Sequence, residues 1–461
     1  MRGAAILAVL LSGIAVPAAA QIIAITNGII AKGDGSAPEQ GGTVVFRNGR
    51  IIAAGTDVGI PAGAQIVDAR GKWVTPGIVA GFSRLGLAEV DLSVEGSDDT
   101  DADGGPFSAA IDVVPAINPL NTTIAVSRAD GVTRAIVAPA IPRSIFAGQG
   151  AVIDTGADMN PVTAARKFQF VELGETGAAA AGGSRASAHV LFRNALREAA
   201  ELGRFDALRG GRDDREGISD PVVRNPNESR IYGPDARRSD DVLLTRFDAA
   251  ALVPVLQGRQ YLLVHVERAS DILQILRLKR EFPSLKLVLV GATEGWTVAG
   301  DIAAAGVPVI ASAVNDLPAS FEQLAATQSN VGRMRAAGVK VSIGLIDDND
   351  TRYMFSGRQY AGNLVALSRL PGATGLTWGE ALRAITSAPA EAIGLGAEIG
   401  SLAPGRRADV VIWSGDPLES ASAAETVFID GVQQPLETHQ SRLRDRYRDL
   451  QRNTLPEAYR H

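Results

Sequence analysis

The stretch Val74-Thr75-Pro76-Gly77-Ile78-Val79-Ala80-Gly81-Phe82-Ser83-Arg84-Leu85-Gly86 marks where this chain changes character. Before it, residues 22 to 76 read as short strands and turns. After it, apolar strands alternate with helical segments. Its alternate positions hold Ala80, Phe82 and Arg84. None of the three offers a lone pair to a metal: a phenyl ring has no donor atom, and a guanidinium stays protonated.

Upstream, Ile22-Ile23-Ala24-Ile25 is a β-branched run ended by Thr26-Asn27-Gly28. Thr43-Val44-Val45-Phe46 and Ile51-Ile52-Ala53-Ala54 flank Asn48-Gly49, the strongest short hairpin signal. Near the other end, Ala408 to Trp413 and Thr426 to Val432 are strands of the same kind. Strands from both chain ends therefore pair into one small β-domain, a β-sandwich built from residues 21–76 and 398–436. Between them lie strands at Thr133–Val137, Tyr261–Val266, Leu285–Val290, Val307–Ile310 and Val339–Ile343, with helices at Ser270–Phe282 and Trp296–Ala305. Continuous apolar strands separated by helices of this length argue a parallel sheet buried on both faces. Their spacing is that of a (β/α)8 TIM barrel over residues 77–397. An open doubly wound sheet is the competing layout, which periodicity does not separate from it.

The bulk numbers set limits. A chain of 461 residues suits one large α/β domain with a small companion. Net charge is −6 and the 45 Lys and Arg form no long basic run, so no nucleic-acid partner is expected. Cysteine is absent, which excludes disulfides, thiolate metal sites and a cysteine nucleophile. Met1-Arg2, an apolar run from Ala4 to Val16 and the small-residue segment Pro17-Ala18-Ala19-Ala20 read as a cleaved signal peptide over residues 1–20. Export to the periplasm, with no membrane attachment after cleavage, is the expectation. Ala178–Ser187 reads as a Gly/Ala-rich loop and Arg209–Arg238 as an exposed insertion. The tail 437–461 reads as a helix whose Leu443, Tyr447 and Leu450 stripe packs on the barrel.

The opening stretch resembles the start of the barrel in the amidohydrolase superfamily, where the frame reads T-P-G-(aliphatic)-(aliphatic)-D-x-H-x-H-x-G. Two further blocks carry the resemblance: Ala384 to Leu395, with Ala388-Pro389-Ala390-Glu391 at its centre, and Gly400-Ser401-Leu402-Ala403-Pro404-Gly405 running into Ala408-Asp409-Val410-Val411-Ile412-Trp413. The imidazolonepropionase-like and prolidase-like members are the most similar by pattern. The resemblance implies a hydrolase of non-peptide C–N bonds in which one or two divalent metals make hydroxide from water.

Position by position, the family's ligand set is mostly replaced. Phe82 and Arg84 stand at the His-x-His pair. Val264-His265-Val266-Glu267 resembles the segment carrying a later His, so His265 reads either as a remnant metal ligand or, with its partner ligands replaced, as a hydrogen-bonded, metal-free residue at a strand end. Gly291-Ala292-Thr293-Glu294 resembles H-G-T-E with Gly291 at the ligand. Ile343-Gly344-Leu345-Ile346-Asp347 resembles the segment of the catalytic Asp, with Ile346 at that position unless a one-residue shift lets Asp347 serve. Lys167 and Glu172 are the candidates for the bridging position. The sequence-based site is therefore Asp347 as catalytic residue, His265 as metal ligand, and Phe82, Arg84, Glu267, Glu294 and Asp348 as barrel-mouth residues facing substrate. Asp347, Asp348 and Asp350 read as a solvated polar loop or a hard-cation site, and Arg84 as a cation that pairs with one of them in place of the metal charge. Asp99-Thr100-Asp101-Ala102-Asp103-Gly104 matches half of a calcium loop but has Ala110 at the bidentate position. With four His in the chain, His189, His265, His439 and His461, the expected cofactor is none, or a single weakly held divalent metal of the zinc type. Two functional readings follow: an amidohydrolase-like protein with a degenerate metal site and little metal-hydroxide activity, or a pseudoenzyme that binds a small molecule or assembles as a homo-oligomer or with an active relative.

Overall fold

The computed structural model describes residues 22–89, 98–102, 104–141, 143–210, 243–346, 354 and 356–448. The signal segment, Asp347, Asp348, Asp350, Asp103, Leu450 and residues 211–238 of the insertion lie outside the described residues.

Both chain ends build one eight-stranded sheet. Its strands are β1 (Ile22–Ile30), β2 (Glu39–Arg47), β3 (Arg50–Gly55), β4 (Gln65–Asp68), β5 (Trp73–Pro76), β14 (Val410–Trp413), β15 (Ala424–Ile429) and β16 (Val432–Gln433). The order is β16-β15-β14-β5-β1-β2-β3, with β4 also on β1. The join between the chain ends is the antiparallel pair β5–β14, with Thr75 opposite Val411. Phe46 on β2 and Phe428 on β15 are far apart in that order, yet their rings meet edge to face at 5.3 Å. The sheet therefore curls so that its halves share a core of Ile25, Phe46, Val74 and Val410. Asn48 and Gly49, at φ 52° and 72°, form the tight hairpin turn.

The second sheet is the barrel. Its strands are β6 (Ile78–Ser83), β7 (Val132–Val137), β8 (Phe146–Asp154), β9 (Val162–Glu172), β10 (Tyr261–Val266), β11 (Lys286–Gly291), β12 (Val309–Ser312) and β13 (Val341–Gly344), neighbours in that order. At the seam between β6 and β13, a Cβ on Gly81 would stand 2.5 Å from the Ile343 carbonyl oxygen, so only glycine lets the two backbones approach. Alternate residues separate the two faces. Leu262, Val264 and Val266 face the helices with Leu287 and Leu289, while Phe168, Phe170, Leu263, Val288, Val290 and Ile310 fill the interior.

One strand departs from the parallel expectation. β8 runs antiparallel to both β7 and β9. No helix separates β7 from β8, so the chain can only turn back, and parallel pairing would need a crossover. Two further expectations are corrected. Most of Ala178–Ser187 is not a loop: helices at Glu175–Ala180 and Arg185–Gly210 enter it from both sides, because alanine propagates helix, and the break is confined to residues 181–184, with Gly182 and Gly183 both at φ 88°. The tail helix His439–Arg448 buries no residue, and Leu443 and Tyr447 remain 37% and 54% exposed, so these two residues of the stripe do not pack on the barrel.

The two sheets are tied together through Arg134 of β7. Its guanidinium is fully buried and donates in bidentate fashion to Asp409 at 2.8 and 2.9 Å, with Asp430 at 3.0 Å and Asp154 at 3.4 Å. Burial alone would favour the neutral guanidine, but the three carboxylates hold Arg134 charged even more firmly than a free arginine.

Candidate functional site at the barrel mouth

At the C-terminal ends of β9 and β10 the inward-facing side chains change from apolar to ionisable. On β9 the inward series Phe168, Phe170 ends in Glu172; on β10 Leu263 is followed by His265. In this register His265 stands beside Glu172, and its Nδ1 lies 2.7 Å from Glu172 Oε2. Its Nε2 lies 2.7 Å from Glu267 Oε1. Burial alone would lower the imidazole pKa, but the carboxylates of Glu172 and Glu267 outweigh it and hold His265 protonated well above 6.5. Both ring nitrogens then donate, leaving no lone pair on the ring.

Glu267, 1% exposed, also accepts from the Thr293 N–H at 2.7 Å. That places its carboxylate against Gly291. A Cβ at Gly291 would stand 2.1 Å from Glu267 Oε1 and 2.9 Å from His265 Cδ2, and the backbone there is left-handed, with φ 87° at Gly291 and 53° at Ala292. The space that a side chain at position 291 would need is thus filled by Glu267.

Glu322 completes the cluster from the loop after β12. It accepts from the Glu175 N–H and from Arg185 Nη2, both at 2.7 Å, and Arg185 also donates to Asp271 at 2.9 Å. Burial lifts the Glu322 pKa above the usual carboxylate value in spite of Arg185 and the neighbouring His265. Neither Glu322 nor Arg185 carries a motif or periodic signal; only the folded loops bring them to the mouth.

The sequence-derived residues divide. Glu172, His265 and Glu267 come together. Lys167, the other bridging candidate, sits mid-way along β9, five residues before Glu172 and beside the start of β10. Glu294 stands near the mouth, but the Ala269 and Ala325 N–H groups occupy its two oxygens at 3.0 and 3.1 Å. Phe82 is not exposed to a mouth ligand: it is 1% exposed inside the barrel, edge to face with Phe170 at 5.2 Å. The inward position of β6 is deep there, and an apolar ring is stable in the interior only when packed. Arg84 is half-buried beyond the end of β6; its expected partners at 347–350 lie outside the described residues.

Comparison with known proteins agrees with this architecture. Residues 282–435 match the amidohydrolase family. Imidazolonepropionase of Acidiphilium cryptum (strain JF-5) is 25% identical over 413 residues, covering 83% of this chain and 90% of that protein. The resemblance to the amidohydrolase family is carried by residues 282–435 and by the fold. A crystal structure of an amidohydrolase from Thermotoga maritima MSB8 superposes with a TM-score of 0.74 at 23% identity, over 89% of this chain and 99% of that one. A short match, 42% identical over 60 residues, joins 13% of this chain to 6% of amidohydrolase tasK from Hapsidospora irregularis.

Members of this superfamily usually bind zinc or another divalent metal. Among the described residues, the donors at the mouth do not assemble such a centre. Among the described residues no group of three or more His, Asp or Glu is arranged to hold a metal ion. Phe82 and Gly291 supply no donor atom, and the imidazole of His265 is engaged at both nitrogens. A tight zinc site takes three or four ligands.

Proposed function

We propose that this protein is an amidohydrolase-superfamily barrel whose metal-hydroxide hydrolysis of C–N bonds is lost or strongly reduced, and whose mouth serves to bind a small molecule. The observation that carries the reading is a replacement of space as well as of residue type. Glu267 fills the place beside Gly291, and Phe82 is packed into the interior against Phe170. Restoring a ligand would require moving a buried carboxylate or a buried ring. Electrostatics support the same reading: His265 and Arg185 supply, as fixed cations, the positive charge that the mouth carboxylates would otherwise take from a metal.

The test is the metal content of purified protein after incubation with zinc or manganese and dialysis, with hydrolysis of small amides and dipeptides assayed in parallel. The expected result is no stoichiometric metal and no hydrolysis above buffer. One retained equivalent, or metal-dependent turnover, overturns the proposal.

We also propose export to the periplasm through the leader at residues 1–20, and that the protein works there with a small-molecule ligand or with a metal-loaded relative. Amino-terminal sequencing of the periplasmic fraction should begin near Gln21; an intact Met1 recovered in the cytosol refutes export. Co-purification with an intact amidohydrolase tests the partner.

A further inference from the structure

The opposite end of the barrel holds a second feature. Only six of the chain's 45 basic residues are lysine, and four of the six gather where the barrel strands begin. Lys167 immediately precedes Phe168, which stands opposite Tyr261, and Tyr261 stands opposite Lys286. Lys340 precedes β13, and its carbonyl accepts from Val309 of β12. Lys279, from the helix Ala269–Glu281, reaches the same rim and donates to the Ala305 carbonyl. Tyr261, Lys279, Lys286, Lys340 and Arg383 line a cavity of about 410 Å³.

Charge at this rim is unbalanced. The ammonium groups of Lys167 and Lys286 lie 5.5 and 5.3 Å from the centroid of one ring, Tyr261. Among the described residues, no carboxylate lies within ion-pair distance of Lys167, Lys286 or Lys340. The lining carboxylate, Glu391, is taken by Arg383. Burial and the charge of Lys286 both lower the Lys167 pKa, which is the signature of a cation without a counter-charge. A protein of net charge −6 has thus collected positive charge in one concavity. Lysines that serve only solubility spread into water singly; these converge.

We propose that this N-terminal cavity is a binding site for a small multivalent oxyanion, a molecule carrying two or more phosphate or carboxylate groups. The volume is that of a small-molecule pocket and exceeds what a single ion fills. Ammonium groups from adjacent strand starts can each give a charge-assisted hydrogen bond to such a ligand. The site lies at the far end of the strands from Glu172 and His265 and is independent of what happens there.

Isothermal titration of the full chain with pyrophosphate, and separately with citrate, tests this at constant ionic strength set with sodium chloride. Saturable one-to-one binding of either probe is expected, weakened roughly tenfold or more by Lys286→Gln with Lys340→Gln, both exposed positions. Response to pyrophosphate alone assigns a phosphate ligand, and to citrate alone a polycarboxylate. Absence of saturable heat with both probes, or equal binding by the double variant, overturns the proposal. Should the double variant lose its circular dichroism spectrum, Lys286→Gln alone gives the same comparison with one lining charge removed.

Discussion

Gly291→Ala is the sharpest perturbation of the barrel mouth. Ordinary van der Waals separation begins near 3.4 Å, and the new methyl would stand 2.1 Å from Glu267 Oε1, so the carboxylate must retreat by more than an ångström. It cannot do so and keep its bonds to His265 Nε2 and the Thr293 N–H, both 2.7 Å. Each involves a charged group and contributes about 1.5–3 kcal/mol. Left-handed backbone at φ 87° adds about 1–2 kcal/mol for a residue with a Cβ. The expected loss is about 4–8 kcal/mol, a large part of a typical domain's stability. In a Glu267→Ala background the obstructing carboxylate is gone, and the same change should cost the backbone strain of about 1–2 kcal/mol plus a small shift of the His265 ring, whose Cδ2 would stand 2.9 Å away. Urea unfolding of the four proteins, followed by tryptophan fluorescence, closes the cycle. If Gly291→Ala is itself too unstable to purify, recovery of soluble protein in the double variant reports the same coupling. Costs that agree within about 0.5 kcal/mol in the two backgrounds would refute the idea that Glu267 occupies the space of a side chain at 291.

Three further outcomes follow from the same geometry. Arg134→Met leaves Asp409, Asp430 and Asp154 without their shared cation and should destabilise the protein by about 3–5 kcal/mol in urea unfolding; a loss under about 1 kcal/mol would mean that the cluster does not tie the sheets. In a proton NMR titration of the histidine rings, His265 should titrate above 6.5 and His189 below it, since burial lowers His189 with only partial opposition from Asp271; the reverse order contradicts the two-carboxylate cage. Because the folded pKa of His265 is raised, its stabilising contribution is complete below the unfolded value near 6.5 and disappears as pH rises through the folded one. The unfolding midpoint should therefore fall on the alkaline side, and His265→Gln should flatten that dependence.

How far the sequence foretold this can be traced residue by residue. Tyr261–Val266 is a strand over the same residues in sequence and structure, and the helix read at 270–282 spans Ala269–Glu281. Both are long, strongly patterned segments whose burial agrees with their local preference. β8 was not legible: Phe146-Ala147-Gly148-Gln149-Gly150 has the glycines of a loop and is held in the barrel by its neighbours. Arg134 sits inside an apolar run, and its main partner Asp409 is 275 residues away. Glu172 was one of two candidates for the bridging position, and burial decides between them: the β9 alternation sends Glu172 into the mouth, while Lys167 falls mid-way along the strand, beside the start of β10. Glu322 had no sequence signal, because it works through a backbone N–H of Glu175 and a side chain of Arg185 that only the closed barrel brings near.

The mouth carboxylates share one structural habit. Glu172 accepts from the Gly174 N–H, Glu267 from Thr293, Glu294 from Ala269 and Ala325, and Glu322 from Glu175. Each clasps backbone beyond the end of a barrel strand, and bonds of this kind are strong because the acceptor is charged. Buried carboxylates still need positive charge to remain ionised. In this chain it comes from His265, between Glu172 and Glu267, and from Arg185, between Glu322 and Asp271. Both cations are bonded by direction as well as charge, so the loops are held without an exchangeable ion. Under the proposed function, a mouth built this way gains rigidity and gives up the open coordination position that activates water. Removing one cation should therefore loosen loops before it alters any chemistry: Arg185→Met is expected to raise amide hydrogen exchange at Glu175 and Ala325 while the barrel strands keep their protection.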